Sequence, residues 1–100
     1  MEDVKLTLGT IENLVFDVSD ALGTLTTLTG TSPTFDWREK GSASWEAQNV
    51  ACSNIGMRVF CLINTEAWAA SKIGRYEVYL KFNNLPEKPR LGPYEFRVDQ

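Results

Sequence analysis

Histidine is absent from all 100 residues of this chain. That one absence removes the commonest general base, the commonest metal ligand and the usual partner of a catalytic serine or cysteine. Cysteine is scarce as well: Cys52 and Cys61 are the two thiols. A structural zinc site needs four ligands, so two thiols without histidine do not build one. Carboxylates remain, but none belongs to a motif. Asp17 and Asp20 flank a turn and Glu66 opens a short helical stretch, where acids commonly serve turn formation and helix-end charge. The serine of "GTSPT" (30–34) has no nucleophile-elbow pattern around it, and no glycine-rich phosphate loop occurs. The expectation is therefore a non-enzymatic protein with no catalytic residue, no cofactor and no metal.

Long apolar runs are lacking too. The longest, such as "VFCLI" at 59–63, fall far short of the roughly 20 residues that span a bilayer, so no membrane partner is expected. "MEDVKLTLG" carries acids where a secretory signal has bases, which points to synthesis in the cytoplasm with no visible export route. Positive charge is also short: ten Lys and Arg are scattered among thirteen Asp and Glu, for a net charge of −3. Phosphate binding needs clustered bases, so nucleic acid is not an expected partner. The cluster "PEKPR" (86–90) reads as a solvated turn.

Alternation is what the chain does have. In "GRYEVYLKF" (74–82), Tyr76, Val78, Leu80 and Phe82 fall on one face, and Arg75, Glu77, Tyr79 and Lys81 on the other. That is a strand with one dry and one wet side. The same period appears in Val4, Leu6, Leu8; in Leu14, Phe16, Val18; in Phe35, Trp37; and in Tyr94, Phe96, Val98. A strong strand is expected over 57–63 and a weaker one near 45–53. Turn signals separate them at 19–23, 29–33, 39–42, 53–56 and 83–93. "NTEAWAAS" (64–71) departs from the period and reads as one or two helical turns, with Asn or Thr as cap, crossing between sheets. The threonine-rich loop at 24–32 reads as extended backbone. Seven short strands with one dry face each predict a single all-β domain over residues 1–100. Its architecture is a seven-stranded antiparallel, immunoglobulin-like sandwich with one short helical crossover; a closed small barrel is the alternative. The expected core contains Leu6, Leu14, Phe16, Phe35, Trp37, Val59, Tyr76, Val78, Leu80, Phe82 and Phe96.

Three residues are candidates for an interaction surface. Trp45, in the polar segment "KGSASWEAQ", lacks apolar neighbours in sequence, and tryptophan is favoured at interface hot spots; a core lid is its other reading. Tyr79 lies on the wet face between Glu77 and Lys81. Lys5 is the single guard on the first strand, an expected sheet edge. Trp37 reads as core and Trp68 as a plug at one end. For the cysteines, hairpin parity decides. A two-residue loop at Ile55-Gly56 places Cys52 and Cys61 on one side; a three-residue loop places them on opposite sides unless a bulge resets the pleat. Reduced thiols are expected in the cytoplasm.

The stretch "LVFDVSDALGTLTTLTGTSPTFDW" resembles the start of the immunoglobulin-like domains of tailed-phage virion proteins, the N-terminal domain of the baseplate upper protein among them. Leu14 to Val18 match the apolar strand, Asp20 to Gly23 the acidic turn, Leu28-Thr29-Gly30 the characteristic step, and Phe35 the aromatic-bearing strand. The ending "GRYEVYLKF…GPYEFRV" is similar to the glycine–tyrosine and final strands of those domains. The resemblance covers roughly residues 9 to 98. It implies a structural protein of the virion: a head decoration, a head–tail protein, or a tail or baseplate accessory. Its partners would be other virion structural proteins or further copies of itself, and its location the host cytoplasm at synthesis and the virion afterwards. A module binding a carbohydrate or a host protein is the second expectation; an enzyme comes a distant third.

Overall fold

The computed structural model describes residues 4–19, 27–85 and 90–100. The expected turn at 20–23, the first part of the threonine-rich loop and residues 86–89 lie outside them. Eight strands are described: β1 Val4–Thr7, β2 Ile11–Asp17, β3 Pro33–Glu39, β4 Ala47–Ala51, β5 Ser53–Ile55, β6 Arg58–Asn64, β7 Gly74–Phe82 and β8 Arg90–Asp99. They form a five-stranded sheet in the order β1-β8-β7-β3-β4 and a three-stranded sheet in the order β2-β6-β5. The chain is thus an all-β fold of two sheets.

The inward faces follow the alternation in the sequence. Leu14, Val18, Val59, Cys61 and Ile63 come from the smaller sheet. Leu6, Phe35, Trp37, Tyr76, Val78, Leu80, Phe82, Phe96 and Val98 come from the larger, and all join one buried cluster. Of the expected core, only Phe16 is partly exposed; its ring lies 4.8 Å from that of Tyr94. Each large side chain buried this way contributes about 1.5–3 kcal/mol, so the core carries the fold.

Three expectations need correction. First, there are eight strands rather than seven, because the segment at 45–53 divides. Asn49 takes a left-handed backbone (φ 55°) and its N–H donates to Asp36 Oδ1 at 2.7 Å, while the β3–β4 register shifts between Phe35 and Trp37. After Cys52, whose N–H still donates to Pro33 O at 3.0 Å, the chain leaves the larger sheet and β5 pairs with β6. A bulged strand twists and bends, which lets one segment serve two sheets.

Second, the larger sheet is mixed, not antiparallel: β1 runs parallel to β8, Val4 opposite Phe96 and Leu6 opposite Val98. The β1–β2 connection crosses between sheets instead of closing a hairpin. Buried Thr65 anchors that crossing, its hydroxyl accepting from Gly9 N at 3.0 Å and Thr10 N at 3.3 Å.

Third, the crossover at 64–71 is barely helical. Its only helical piece is a 3-10 turn at Ala70–Lys72. Thr65 is taken up by the β1–β2 crossing, and Trp68 turns inward to stack on Trp37, with centroids 5.3 Å apart. Trp68 thereby closes one end of the core, beside Tyr76 at 5.4 Å.

Candidate functional site

Two of the three expected surface residues meet on the outside of the larger sheet. The β3–β7 register sets Asp36 opposite Tyr79 and Arg38 opposite Glu77. Between β7 and β8 the register slips, from Val78 opposite Tyr94 to Leu80 opposite Leu91. The slip is taken up at Gly92-Pro93, a cis peptide, where Gly92 has φ +117°. A side chain there would bring its Cβ to 2.8 Å from Val78 O, so only glycine fits this bulge. Beside the bulge, Arg90 lies over the Tyr79 ring, its Cζ 4.1 Å from the centroid.

Trp45 comes in from the β3–β4 connection and meets Tyr79 edge to face, centroids 5.6 Å apart and planes at 74°. Arg38 covers its ring at 4.7 Å. The same guanidinium reaches Glu77 Oε1 and the Tyr79 hydroxyl, each at 3.4 Å. Lys81 approaches Asp36 at 3.1 Å and also donates to Asn49. Trp45 is therefore half-buried, packed on the outside of the larger sheet against Tyr79 and Arg38 rather than lidding the core. The rings are not coplanar and each is covered by a guanidinium, so they do not form the flat aromatic surface on which a sugar ring stacks.

Lys5 does not join this cluster. It pairs with Arg97, which pairs with Arg75, four residues along β7 from Tyr79. That is about 14 Å along the strand and two strands across.

The thiols share a side. The β5–β6 hairpin closes through two residues, Gly56 and Met57, one position later than the loop considered from sequence. Ser53 is set opposite Phe60, so Cys52 and Cys61 face each other with sulfurs 3.6 Å apart, both as free thiols. The hydrogen bond with Cys52 and burial in the core push the Cys61 thiol well up from its ordinary range.

Among the described residues no group of three or more Cys, Asp or Glu is placed to hold a metal ion, and no helix is long and apolar enough to cross a membrane.

The most unusual surface was not singled out from the sequence. On the outside of the smaller sheet, β2 turns out Ile11, Asn13, Val15 and Asp17, β6 turns out Arg58, Phe60, Leu62 and Asn64, and β5 adds Ser53 and Ile55. Val15 stands opposite Phe60, which in turn stands opposite Ser53. Ile11 is 49% exposed, Val15 51%, Leu62 55% and Ile55 73%. Single exposed aliphatics are ordinary, but here several share one sheet face and form an exposed apolar surface. A signal existed in "VFCLI": a strand apolar at consecutive positions is apolar on both faces.

In comparison with known proteins, no family model, curated protein or solved structure matches this chain.

Proposed function

We propose that this chain is a non-enzymatic assembly module, a structural component of a tailed-phage virion that works by docking against other protein surfaces. The observation that carries the reading is the apolar outer face of β2-β6-β5. Keeping several aliphatic side chains in water is unfavourable, and an interface relieves it. Protein–protein docking also needs no histidine, metal or cofactor.

The virion part of the reading rests on the resemblance of residues 9–98 to phage immunoglobulin-like domains. Three features of the fold support it. The strand order, with β2-β6-β5 facing β8-β7-β3-β4, fits the B-E-D and G-F-C-C′ sheets of such a sandwich. Trp37 is buried on the strand corresponding to C. Near the start of the strand corresponding to F, the Tyr76 hydroxyl donates back to Lys72 O at 2.5 Å, the arrangement of a tyrosine corner. The location that follows is the host cytoplasm at synthesis and the assembled particle afterwards.

The test is mass spectrometry of purified particles from cells making a tagged chain. The expected outcome is the chain in fixed stoichiometry with the structural proteins. Particles lacking it, together with tight small-molecule binding or turnover by the free protein, would overturn the reading.

A further inference from the structure

We propose that the occupant of the apolar face of β2-β6-β5 is a second copy of this chain, packed face to face about a two-fold axis parallel to the strands. The proposal rests on the assembly reading and names its first contact.

The argument lies in the charges at one end of that face. Asp17 and Arg58 are directly opposite each other across the β2–β6 ladder, both turned outward. No ion pair within 4.0 Å joins them, and among the described residues Arg58 has no carboxylate partner. The Asp17 carboxylate accepts the Ser19 N–H at 3.0 Å, and this bond, with a smaller contribution from the nearby Arg58 charge, holds it below the usual carboxylate range. One end of an apolar patch thus carries one acid and one base, side by side and attracting each other without a direct ion pair.

A two-fold axis along the strands, passing between β2 and β6, lays each β2 over the partner's β6 and keeps like ends together. Asp17 of each copy then meets the other copy's Arg58, twice over, and Val15 meets Phe60 twice over. A two-fold axis across the strands would instead set Asp17 and Arg58 over Ile11 and Asn64, giving neither charge a partner across the interface. An axis along β6 itself would set Arg58 on Arg58. Charge complementarity therefore selects one isologous arrangement.

With the axis between β2 and β6 the partner covers the eight outward side chains of those two strands, while β5 lies past the partner's β2 edge, so on the order of 500 Å² per copy, or about 1,000 Å² in total, is buried, the bottom of the range for specific interfaces. A weak, concentration-dependent dimer follows, of the kind that an array strengthens by repetition.

Sedimentation velocity of the full chain, from low to high micromolar, tests the proposal. A reversible monomer–dimer equilibrium is expected. Leu62→Asp should abolish the dimer while leaving the far-ultraviolet circular dichroism and the urea midpoint unchanged. Asp17→Arg and Arg58→Asp should each weaken it by about tenfold or more, and the double exchange should return it to within a few-fold of the original. A protein monomeric at every concentration overturns the proposal, as does a dimer indifferent to Leu62→Asp or one that the double exchange fails to restore. The two readings fail separately. A monomer that still enters particles retires the dimer alone, whereas a dimer absent from particles retires the virion reading alone.

Discussion

On the outside of the five-stranded sheet nearly every long side chain is engaged with a neighbour, whereas on the outside of the three-stranded sheet the long side chains face water. The larger sheet carries Arg38 with Glu77, Lys81 with Asp36, and Lys40 and Arg75 with Glu95. Its two exposed-side aromatics, Trp45 and Tyr79, are covered by Arg38 and Arg90. The smaller sheet shows Ile11, Val15, Leu62 and Ile55 instead, with Asp17 and Arg58 unjoined beside them. Surface ion pairs are individually worth about 0–1 kcal/mol, so the larger sheet's network is no great source of stability. What it does is pair the charges of that surface with one another. The difference is that the exposed tryptophan is packed against its own chain, whereas the exposed aliphatics are not.

The sharpest way to test this division is to place the same charge on either side of a sheet. Val78→Asp puts a carboxylate in the fully buried layer and should destabilise the fold by about 3–5 kcal/mol, seen as a large drop in the urea midpoint. An unchanged midpoint would mean that β7 does not face the core.

Next in size is Tyr76→Phe, which removes the hydroxyl bonded to Lys72 O and should cost about 1–1.5 kcal/mol. The variant also has a pH signature. Burial, with Glu39 and then Glu46 adding to it, raises the Tyr76 phenol from about 10 to about 12. The folded chain keeps a proton that the unfolded chain gives up. That contribution is complete below pH 10 and is lost as the pH rises toward and through 12. Wild-type stability should therefore fall over this window more steeply than that of Tyr76→Phe, which chemical denaturation at a series of alkaline pH values will show.

Trp45→Ala probes the occupied surface. Loss of its contacts with Tyr79 and Arg38 should cost about 1 kcal/mol in folding stability, with no effect on self-association. A variant with intact folding and lost association would return Trp45 to the role of anchor. The smallest effect on folding belongs to Leu62→Ser, within about 0.5 kcal/mol, because the side chain is already in water. If its urea midpoint falls by more than that, the outer face of the smaller sheet is packed rather than open.

Much of this was written in the period-two alternation. It placed Leu14, Trp37, Val78 and Phe96 inward and Tyr79, Arg38 and Lys5 outward, because each strand presents alternate residues to dry and wet sides whichever strand lies beside it. The absence of histidine likewise bounded the available chemistry without reference to any fold. Strand neighbours are another matter. Nothing local in "VKLT" says that it will run parallel to β8, and nothing in "AQNVACSNI" says that the chain will change sheets at Cys52. Those outcomes depend on Thr65 gripping the β1–β2 crossing and on Asp36 receiving the Asn49 N–H, contacts between residues 55 and 13 positions apart. Tertiary structure also decided that Trp45 would lie under Arg38 and that Cys52 would meet Cys61. The physical reason is that alternation records only how each strand divides water from core. Which side chains meet across strands depends on register, and register was set here by the β3–β4 shift beside Asn49, the bulge at Gly92 and the two-residue hairpin loop at Gly56-Met57.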